Sequence, residues 1–334
     1  MIKTPSFHRR SLLLSAAALA ATQRSTAAPT TASSEQAAPD LSGKSILITG
    51  SSSGFGRLGA EHYARLGAKV FATMRNTPRP EAEELQRLAR DESLYIQVID
   101  IDVLSDESVI AGVRAAEDAS GGALDAIVNN AGIGVTGPVE LQDMEATKLA
   151  FDTNVFGCHR VARAALPGMR AQGSGHLFQI SSQLGRVIVP GAGHYSATKF
   201  ALEAMSEQMA YELVPHGVGV TIIQPGGYPT KVWVNRNRYT ADLKARTSDE
   251  LLAAYPRMAA AMGGEDGSGR NTDPLDVPRA IAEILAAPIE DRPLRRAVHP
   301  TFRPQEAVND AMAEAQLGFL GATPYGPVVK TVLD

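Results

Sequence analysis

Apolar residues along this chain fall into two kinds of segment, which alternate from about residue 41 onwards. Short continuous apolar runs are typical of buried strands, and longer stretches with one apolar face are typical of helices. The predicted strands are residues 45–49, 69–73, 94–99, 124–128, 175–181 and 218–223. The predicted helices are residues 55–66, 81–90, 106–118, 143–169, 195–214 and 274–287. This alternation predicts an α/β fold built on a doubly wound, mostly parallel sheet.

The alternating elements run from residue 41 to about residue 300 without an internal repeat, which predicts a single domain. Residues 301–334 are predicted to be a C-terminal extension with a helix over residues 304–317. Residues 227–272 are predicted to form an irregular substrate lid, because long irregular segments of compact domains often cover binding sites. This lid carries side chains that would either line a site for an apolar substrate or take part in ordinary helix packing: Tyr228, Trp233, Tyr239, Tyr255, Met258 and Met262.

The N-terminal segment has the pattern of an export signal. Arg9 and Arg10 precede an apolar run over residues 12–21, which is shorter than the about 20 apolar residues that span a bilayer. The arginine pair resembles a twin-arginine signal, whose pathway carries folded proteins. We expect a signal over residues 1–27, a flexible linker over residues 28–40, a periplasmic location and no stable membrane insertion after processing. The alternative is a disordered tail on a cytoplasmic protein.

The amino-acid composition limits which kinds of partner and bound group are expected. Hydrophobic residues make up 44% and charged residues 20% of the sequence, and the formal net charge is −4. This balance is ordinary for a globular protein and does not indicate a nucleic-acid partner. Cys158 is the single cysteine, so no internal disulfide is expected, and the sequence has no cluster with the spacing of a metal site. Cys158 is predicted to fill a small core space, with a reactive thiol as the alternative.

A glycine-rich turn follows the first predicted strand and opens the first predicted helix. Its spacing is G-x3-G-x-G rather than the general G-x-G-x-x-G. Glycines allow the backbone to approach a pyrophosphate, and the helix N-terminus supplies free N–H groups. A simple tight turn is the alternative reading. The predicted contacts to a dinucleotide in this turn are Gly50, Ser52, Ser53, Gly54, Phe55 and Gly56.

The end of the second predicted strand indicates which dinucleotide is used. An acidic residue at this position would bind the ribose 2′-hydroxyl of NAD, whereas a nearby arginine accommodates the 2′-phosphate of NADP. The chain has Arg75 there and no aspartate or glutamate between residues 72 and 76. The guanidinium group suits a phosphate. The sequence therefore predicts NADP(H), unless Arg75 is simply a solvated surface residue.

Several separated motifs in a fixed order make the chain resemble the short-chain dehydrogenase/reductase superfamily over roughly residues 42–300. They are the turn from Thr49 to Gly56, Asp102-Val103, Asn129-Asn130-Ala131-Gly132, Asn154-Val155-Phe156-Gly157, Ser182, Tyr195-Ser196-Ala197-Thr198-Lys199 and Pro225-Gly226 with Thr230. Residues 72–75 and 132–138 look most like the hydroxysteroid and retinoid dehydrogenase branch. The resemblance implies a Rossmann-like domain, a small-molecule substrate and a homo-oligomer.

The resemblance also implies roles for residues at the strand ends. Asp102 and Val103 would contact the adenine ring. A second group would steady the sheet and the cofactor, namely Asn130, Ala131 and Gly132. A third group would lie near the nicotinamide, namely Pro225, Gly226 and Thr230. Tyr195 and Lys199 would contact the cofactor as well as take part in the chemistry.

The predicted catalytic group is Asn154, Ser182, Tyr195 and Lys199. Tyr195 and Lys199 are four residues apart on a predicted helix and share a face, so the ammonium can stabilise the phenolate of a general acid and base. Ser182, with Ser181 as its competitor, would hydrogen-bond the reacting oxygen. The resemblance assigns Asn154 to a water that links Lys199 to solvent. His194 is predicted to line the site or to lie on the surface.

These residues predict an NADP(H)-dependent oxidoreductase that interconverts a carbonyl and an alcohol by hydride transfer. Two alternatives remain open from the sequence: a redox-neutral, epimerase-like enzyme with bound nucleotide, and a non-catalytic nucleotide-binding sensor. None of the predicted catalytic residues is missing, which disfavours the sensor. The predicted export adds the hypothesis that the cofactor travels bound to the protein and is recycled in place by a second substrate.

Overall fold

The computed structural model describes residues 38–333. The predicted signal over residues 1–27 and most of the predicted linker over residues 28–40 lie outside these residues. None of the helices within the described range is both long and apolar enough to cross a membrane.

Seven parallel strands form one sheet in the order β3-β2-β1-β4-β5-β6-β7. The strands are β1 (Ser45–Ile48), β2 (Lys69–Met74), β3 (Ile96–Asp100), β4 (Ala126–Asn129), β5 (Gly175–Ile180), β6 (Val218–Pro225) and β7 (Arg295–Val298). All six neighbouring pairs run parallel. The chain order reverses between β1 and β4, and ligands of doubly wound sheets bind at such a switch point, outside the carboxyl ends of the strands. The predicted fold class is confirmed.

Helices cover both faces of the sheet. They are α1 (Gly54–Arg65), α2 (Pro80–Asp91), α3 (Asp106–Ser120), α4 (Met144–Phe151), α5 (Gly157–Gln172), α6 (Tyr195–Leu213), α7 (Val232–Arg246), α8 (Asp249–Ala254), α9 (Pro256–Ala261), α10 (Asp276–Ala286), α11 (Gln305–Leu320) and α12 (Gly326–Leu333). One apolar core lies between the sheet and α1, α2 and α10. The other lies between the sheet and α3, α5 and α6. The side chains of alternate strand residues divide between these two cores, which explains the near-continuous apolar runs in the sequence.

The structure differs from the predicted elements at three places. The long helix predicted over residues 143–169 is interrupted by a π-helical turn at Asp152–Phe156. The segment predicted to be irregular, residues 227–272, contains the three helices α7, α8 and α9. The seventh strand, β7, was not predicted, because it has only four residues and two of them are arginines. Arg296 is exposed, as charges on an edge strand can be, whereas Arg295 pairs with the carboxylates of Glu203 and Glu207.

The C-terminal segment packs on the domain. Gln305, the first residue of α11, is fully buried and donates a hydrogen bond from Nε2 to the carbonyl of Gln224, 3.1 Å away on β6. Val332 and Leu333 of α12 pack against the core formed with α3, α5 and α6. These helices therefore stabilise the end of the sheet that carries β6 and β7.

Candidate active site

A cleft of about 730 Å³ lies at the carboxyl ends of the strands, at the switch point of the sheet. This volume is in the usual range for small-molecule sites. The loops after β1 to β6 line it on one side, and residues of α7 and α9 line it on the other. Every predicted site residue except Gly56 and Asn154 contributes to its wall.

The glycine-rich turn presents backbone donors to one end of the cleft. Gly50 and Gly54 have φ angles of 71° and 58°, in the left-handed region that favours glycine. Ser53 precedes α1, and its side chain caps none of the helix N–H groups. The N-terminus of α1 therefore offers N–H groups and the positive end of its dipole to an anion such as a pyrophosphate.

Gly56 has a packing role rather than a lining role. A methyl group on Gly56 would lie 2.5 Å from Nδ2 of Asn130 and 2.5 Å from the carbonyl oxygen of Gly50. Only a glycine therefore allows α1 to start so close to the turn. Gly56 is not among the residues that line the cleft, and its contact with the cofactor stays a prediction.

The loop after β4 is bonded directly to the glycine-rich turn. The hydroxyl of Thr49 accepts hydrogen bonds from the backbone N–H groups of Asn130 and Ala131, at 3.0 and 2.9 Å. The Asn130 side chain donates from Nδ2 to the carbonyl groups of Thr49 and Gly50, at 2.9 and 3.2 Å. Gly132 follows, and a methyl group there would meet Oδ1 of Asn154 at 3.2 Å. These bonds fix the two loops relative to each other.

Arg75 lies directly after β2 in the wall of the cleft. Its Nη2 donates to the hydroxyl of Tyr239 on α7 at 3.2 Å, and no carboxylate of the described residues lies within 4.0 Å of its guanidinium. Arg79 lines the cleft nearby and donates to the carbonyl of Arg75 at 3.3 Å, while its Nε pairs with Glu81 at 2.8 Å. The sequence analysis missed Arg79 because it lies in the turn after β2, beyond the apolar pattern that marks the strand.

Asp102 and Val103 line the cleft after β3. One carboxylate oxygen of Asp102 accepts the N–H of Leu104 at 3.0 Å, which orients the side chain. Asp100, the last residue of β3, accepts bonds from the N–H and hydroxyl of Thr77 at 2.7 and 2.6 Å. The two aspartates therefore have separate partners.

Tyr195 and Lys199 share one face of α6 and both line the cleft. Lys199 is 5% exposed, its Nζ donates to the carbonyl of Ile180 at 2.7 Å, and it lies 5.7 Å from the centroid of the Tyr195 ring. The bond to Ile180 ties the ammonium to the end of β5.

Asn154 is fully buried in the π-helical turn and does not line the cleft. Its amide accepts from the N–H of Ile133 and donates to the Ile133 carbonyl, each at 2.8 Å, and it also donates to the hydroxyl of Thr198 at 3.0 Å. Thr198 in turn donates to the carbonyl of Tyr195 at 2.7 Å. Asn154 thereby connects the loop after β4 with the first turn of α6.

The two adjacent serines after β5 differ in their surroundings, although both line the cleft. The hydroxyl of Ser182 accepts the N–H of Leu184 at 3.1 Å and caps a short 3-10 turn. The hydroxyl of Ser181 is buried without a hydrogen-bond partner, and a methyl group on Gly185 would lie 2.6 Å from it. Ser181 therefore points beneath the 3-10 turn, while Ser182 retains a hydroxyl proton for a ligand.

The loop after β6 closes the cleft beside the glycine-rich turn. Pro225, Gly226 and Thr230 all line the cleft. The N–H of Gly226 donates to the carbonyl of Val298 on β7 at 3.0 Å. A methyl group on Gly54 would lie 3.5 Å from Cβ of Thr230, so this loop meets the start of α1.

Most of the aromatic and methionine residues named in the lid segment face the cleft, with Tyr255 as the exception. Tyr228, Trp233, Tyr239, Met258 and Met262 line the cleft. Tyr255 hydrogen-bonds the carboxylate of Glu140 instead. Three arginines of the same segment, Arg236, Arg238 and Arg270, also line the cleft and were missed by the sequence analysis. Their spacing carries no motif, and only the fold of residues 227–272 brings them to the site.

Two further residues considered in the sequence analysis, Cys158 and His194, do not line the cleft. Cys158 is buried, and burial raises the pKa of its thiol to about 11, which favours the core-filling interpretation over a reactive thiol. Nδ1 of His194 lies 3.1 Å from the hydroxyl of Thr147, and His194 does not line the cleft. Within residues 38–333 no group of three or more histidine, cysteine or acidic side chains is placed to hold a metal ion.

Comparisons with known proteins agree on one family. The family model for short chain dehydrogenases matches residues 44–240. A 3-ketodihydrosphingosine reductase of Bacteroides thetaiotaomicron is 32% identical over 76% of this chain and 87% of that protein. Retinol dehydrogenase 8 of Homo sapiens is 31% identical over 78% of this chain and 83% of that protein. The crystal structure of a short-chain dehydrogenase from Streptomyces avermitilis has 30% sequence identity and a TM-score of 0.65, and the alignment covers 83% of this chain and 96% of that one.

Proposed function

Because this chain belongs to the short-chain dehydrogenase family and is an oxidoreductase, we propose that it interconverts a carbonyl group and an alcohol with NADP(H) and uses Tyr195 as general acid and base. The observation that supports this most directly is one continuous cleft. The N-terminus of α1 lies in its wall, and so do Ser182, Tyr195 and Lys199. A nucleotide site and an acid–base group thus share one cavity.

The residues of the cleft fit a nicotinamide dinucleotide. The uncapped N-terminus of α1 suits the pyrophosphate. Gly50 lets the turn approach the loop after β4, because a methyl group there would lie 2.9 Å from Cα of Ala131. The bonds between Thr49 and Asn130 hold the loops after β1 and β4 in place. When bound, the nicotinamide supplies or accepts the hydride.

Arg75 supports the choice of NADP(H) over NAD(H). Its guanidinium has a neutral hydroxyl partner, Tyr239, and no carboxylate within 4.0 Å in the described part of the chain. A 2′-phosphate would supply the missing negative charge, and guanidinium groups bind phosphates by paired hydrogen bonds. Arg79 lies beside Arg75 and adds positive charge at the same end of the cleft.

The catalytic chemistry follows from the positions of three side chains. In reduction, the hydroxyl of Tyr195 would give its proton to the carbonyl oxygen, and in oxidation the phenolate would take the alcohol proton. Lys199, held by the carbonyl of Ile180, would stabilise the phenolate. Ser182 would donate a hydrogen bond to the same oxygen and stabilise its developing charge. Asn154 acts here as a positioning residue for the start of α6.

We propose a small-molecule substrate with an apolar body. Part of the cleft wall is apolar, and it is formed by Val135, Val189, Met258 and Met262. The names of the two relatives refer to a ketosphingosine and to retinol, which both have long hydrocarbon portions. We also propose a homo-oligomer, and light scattering on the purified protein measures its mass directly.

We further propose that residues 1–27 direct export to the periplasm, and that NADP(H) accompanies the folded protein and is recycled there by a second substrate. The Arg9-Arg10 pair supports this. A variant with Arg9→Lys and Arg10→Lys should stay in the cytoplasm. Nucleotide extracted from the exported protein should be NADP or NADPH. Unchanged export of the variant would overturn the signal, and exported protein without nucleotide or recycling would overturn the bound cofactor.

The nucleotide preference is the first experiment, because it needs no substrate. The protein is freed of nucleotide and titrated with NADPH and NADH, and the nicotinamide fluorescence is followed. We expect tighter binding of NADPH, and Arg75→Gln should weaken NADPH alone by about 10- to 100-fold, the usual value of a charge-assisted contact. Arg87→Gln, an exposed arginine of α2, is the matched control.

Each outcome of this titration has a defined meaning. Tighter NADH binding would overturn the cofactor choice and leave the catalytic group as proposed. Binding of neither nucleotide by the folded protein would overturn the enzyme proposal. A substrate that turns over without net change in nicotinamide absorbance would favour the redox-neutral alternative.

A further inference from the structure

The substrate end of the cleft contains a guanidinium group that no carboxylate neutralises. Arg236 lies on α7 and lines the cleft. A methyl group on Gly134 would lie 3.2 Å from Cγ of Arg236 and 3.6 Å from Cδ2 of Tyr195. Arg236 and the ring of Tyr195 therefore flank the same glycine. This places Arg236 beside the ring of Tyr195, the proposed general acid and base.

The hydrogen bonds of Arg236 leave part of its guanidinium unused. Its Nη2 donates to the backbone carbonyl of Glu265 at 3.2 Å, and its Nε is buried without a partner. No carboxylate within residues 38–333 lies within 4.0 Å of it. A buried N–H without a partner is costly, and a ligand oxygen would satisfy it.

Arg270 provides an internal comparison. The two guanidinium groups stack on the ring of Trp233, with Arg236 at 4.5 Å and Arg270 at 4.1 Å from its centroid. Arg270 is neutralised, because its Nη1 pairs with the carboxylate of Glu265. Trp233 is itself fixed by a 2.7 Å bond from Nε1 to the carbonyl of Tyr228. Of these two arginines, Arg236 alone keeps an unpaired charge on a rigid support.

The charge of Arg236 persists despite its surroundings. Burial lowers the pKa of its guanidinium from the ordinary value, and the nearby Arg270 adds to this, while Glu265 and Tyr195 act in the opposite direction. A guanidinium nevertheless stays protonated in proteins. The result is a permanent, partly desolvated cation, and such a group is stabilised when an anion binds beside it.

We propose that Arg236 binds the carboxylate of the substrate, so that the natural substrate is a keto acid or hydroxy acid with an apolar body. This inference rests on the proposed function and specifies its substrate class. A single unpaired guanidinium matches a monoanion and binds it through paired hydrogen bonds. The phosphates of the proposed cofactor would have other partners in the cleft, at the N-terminus of α1 and at Arg75.

Trp233 makes this inference measurable without a known substrate. It is the only tryptophan of the chain, and it stacks on Arg236, so its fluorescence reports binding at this position. The full chain, saturated with NADP, is titrated with hexanoate and with the neutral analogue hexanamide. We expect hexanoate to bind at least about 10-fold more tightly, as for a contact to a charged group.

Variants connect the preference to Arg236. Arg236→Gln should remove the preference for hexanoate over hexanamide, and Arg236→Lys should restore part of it. Arg257→Gln, an exposed arginine of α9 that does not line the cleft, is the matched control and should keep the full preference. Equal binding of the two probes, absent hexanoate binding, or an unchanged preference in Arg236→Gln would overturn the inference.

A second readout uses turnover with NADPH. The substrates 4-oxopentanoate and 5-oxohexanoate are compared with their methyl esters, and Arg236→Gln should raise KM for the acids with little change for the esters. Esters preferred by the wild-type protein would overturn the inference. NADPH titration separates the two proposals: intact NADPH binding without a carboxylate preference overturns only this inference, whereas absent NADPH binding overturns the proposed function.

Discussion

Tyr195 occupies the first position of α6, where its side chain reaches the cleft and its backbone carbonyl is held by Thr198. Tyr195→Phe removes only the hydroxyl and leaves the ring that packs beside Gly134. We expect kcat to fall by at least about 100-fold, because general acid–base groups contribute about 10²- to 10⁴-fold. The affinity for NADPH should stay within about two-fold, since binding depends on the α1 end of the cleft.

Initial rates with NADPH and the best ketone, together with fluorescence titration of NADPH, measure both quantities for this variant. A Tyr195→Phe protein with nearly normal kcat would contradict the assignment of the general acid. A protein that no longer binds NADPH would show instead that the hydroxyl is needed to build the nucleotide site.

The buried His176 on β5 should make the free energy of unfolding depend on pH. It is fully buried, its Nε2 lies 2.9 Å from the hydroxyl of Thr221, and the guanidinium of Arg292 lies 3.3 Å from its Nδ1. Burial, aided by Arg292, lowers the pKa of its imidazole from 6.5 to about 3. Between pH 6.5 and about pH 3, the imidazole of His176 is protonated in the unfolded chain but not in the folded protein. The free energy of unfolding therefore decreases as the pH falls below 6.5.

The matching experiment compares urea unfolding of the wild type and His176→Gln from pH 7 to pH 4. One proton bound only on unfolding changes the free energy of unfolding by about 1.4 kcal/mol per pH unit. The slope below pH 6.5 should therefore be smaller in the variant by roughly this amount, with no difference in slope above it. His159→Gln, at an exposed position of α5, should keep the wild-type slope. Parallel curves for His176→Gln and wild type would contradict the shifted pKa.

At the residue scale, the sequence predicts the groups that belong to contiguous motifs and misses those that the fold assembles. Ser182, Tyr195 and Lys199 were named from their spacing, and the structure brings them to one cleft. Arg236 has no such signal, because its position beside Tyr195 depends on where α7 crosses the cleft. The packing role of Gly56 also depends on a contact with Asn130, 74 positions away in the chain.

The junction of β1 and α1 is the element on which the nucleotide site depends. Gly56→Ala places a methyl group 2.5 Å from the carbonyl oxygen of Gly50 and 2.5 Å from Nδ2 of Asn130. The backbone cannot yield as a flexible side chain would, so α1 must shift. We expect a loss of about 1–3 kcal/mol in the free energy of unfolding, as for overpacked cores, and weaker NADPH binding.

Gly122→Ala is the matched control for this change, because a methyl group at Gly122 meets nothing within 4 Å. Thermal unfolding and NADPH titration of the two variants give the comparison. If Gly56→Ala bound NADPH as tightly as Gly122→Ala, the close approach of α1 to the turn would not be what shapes the nucleotide site.

At the element scale, periodicity predicts buried parallel strands well and predicts short or polar elements poorly. The six predicted strands are all present within about two residues of their ends. β7 was missed because Arg295 and Arg296 break its apolar pattern. The helices of residues 227–272 were missed because α7 contains the polar run Asn235-Arg236-Asn237-Arg238 and buries only Thr240 and Leu243. A helix that buries few side chains has only a weak periodic pattern of apolar residues in its sequence.

On the scale of the whole molecule, a buried ionic cluster joins the site to the C-terminal helices. Glu203 on α6 is 1% exposed, and its carboxylate lies 3.1 Å from the guanidinium of Arg186 and 2.9 Å from that of Arg295 on β7. Its other oxygen accepts a 2.8 Å bond from Gln224, whose side chain also accepts from Asn309 on α11. One carboxylate thus links the loop after Ser182, the edge of the sheet and α11.

Glu203→Gln tests whether this cluster holds the molecule together. The change keeps the shape of the side chain but removes the carboxylate closest to Arg186, and it leaves Arg295 paired with Glu207 alone. Breaking a buried ion pair on one side costs about 3–5 kcal/mol, so we expect a loss of this size in the free energy of unfolding by urea. Glu212→Gln, at an exposed position of α6, should change it by less than about 0.5 kcal/mol.

If Glu203→Gln does not fold, Asn309→Ala provides a milder test of the same link. It removes the contact between Gln224 and α11 without leaving a buried charge, and should cost about 1–2 kcal/mol. α11 should then become easier to cleave by protease, because its buried anchor to β6 is reduced to Gln305. Wild-type stability in both variants would mean that the ionic cluster does not contribute to the free energy of unfolding. The apolar packing of α12 would then be what holds the C-terminal segment on the domain.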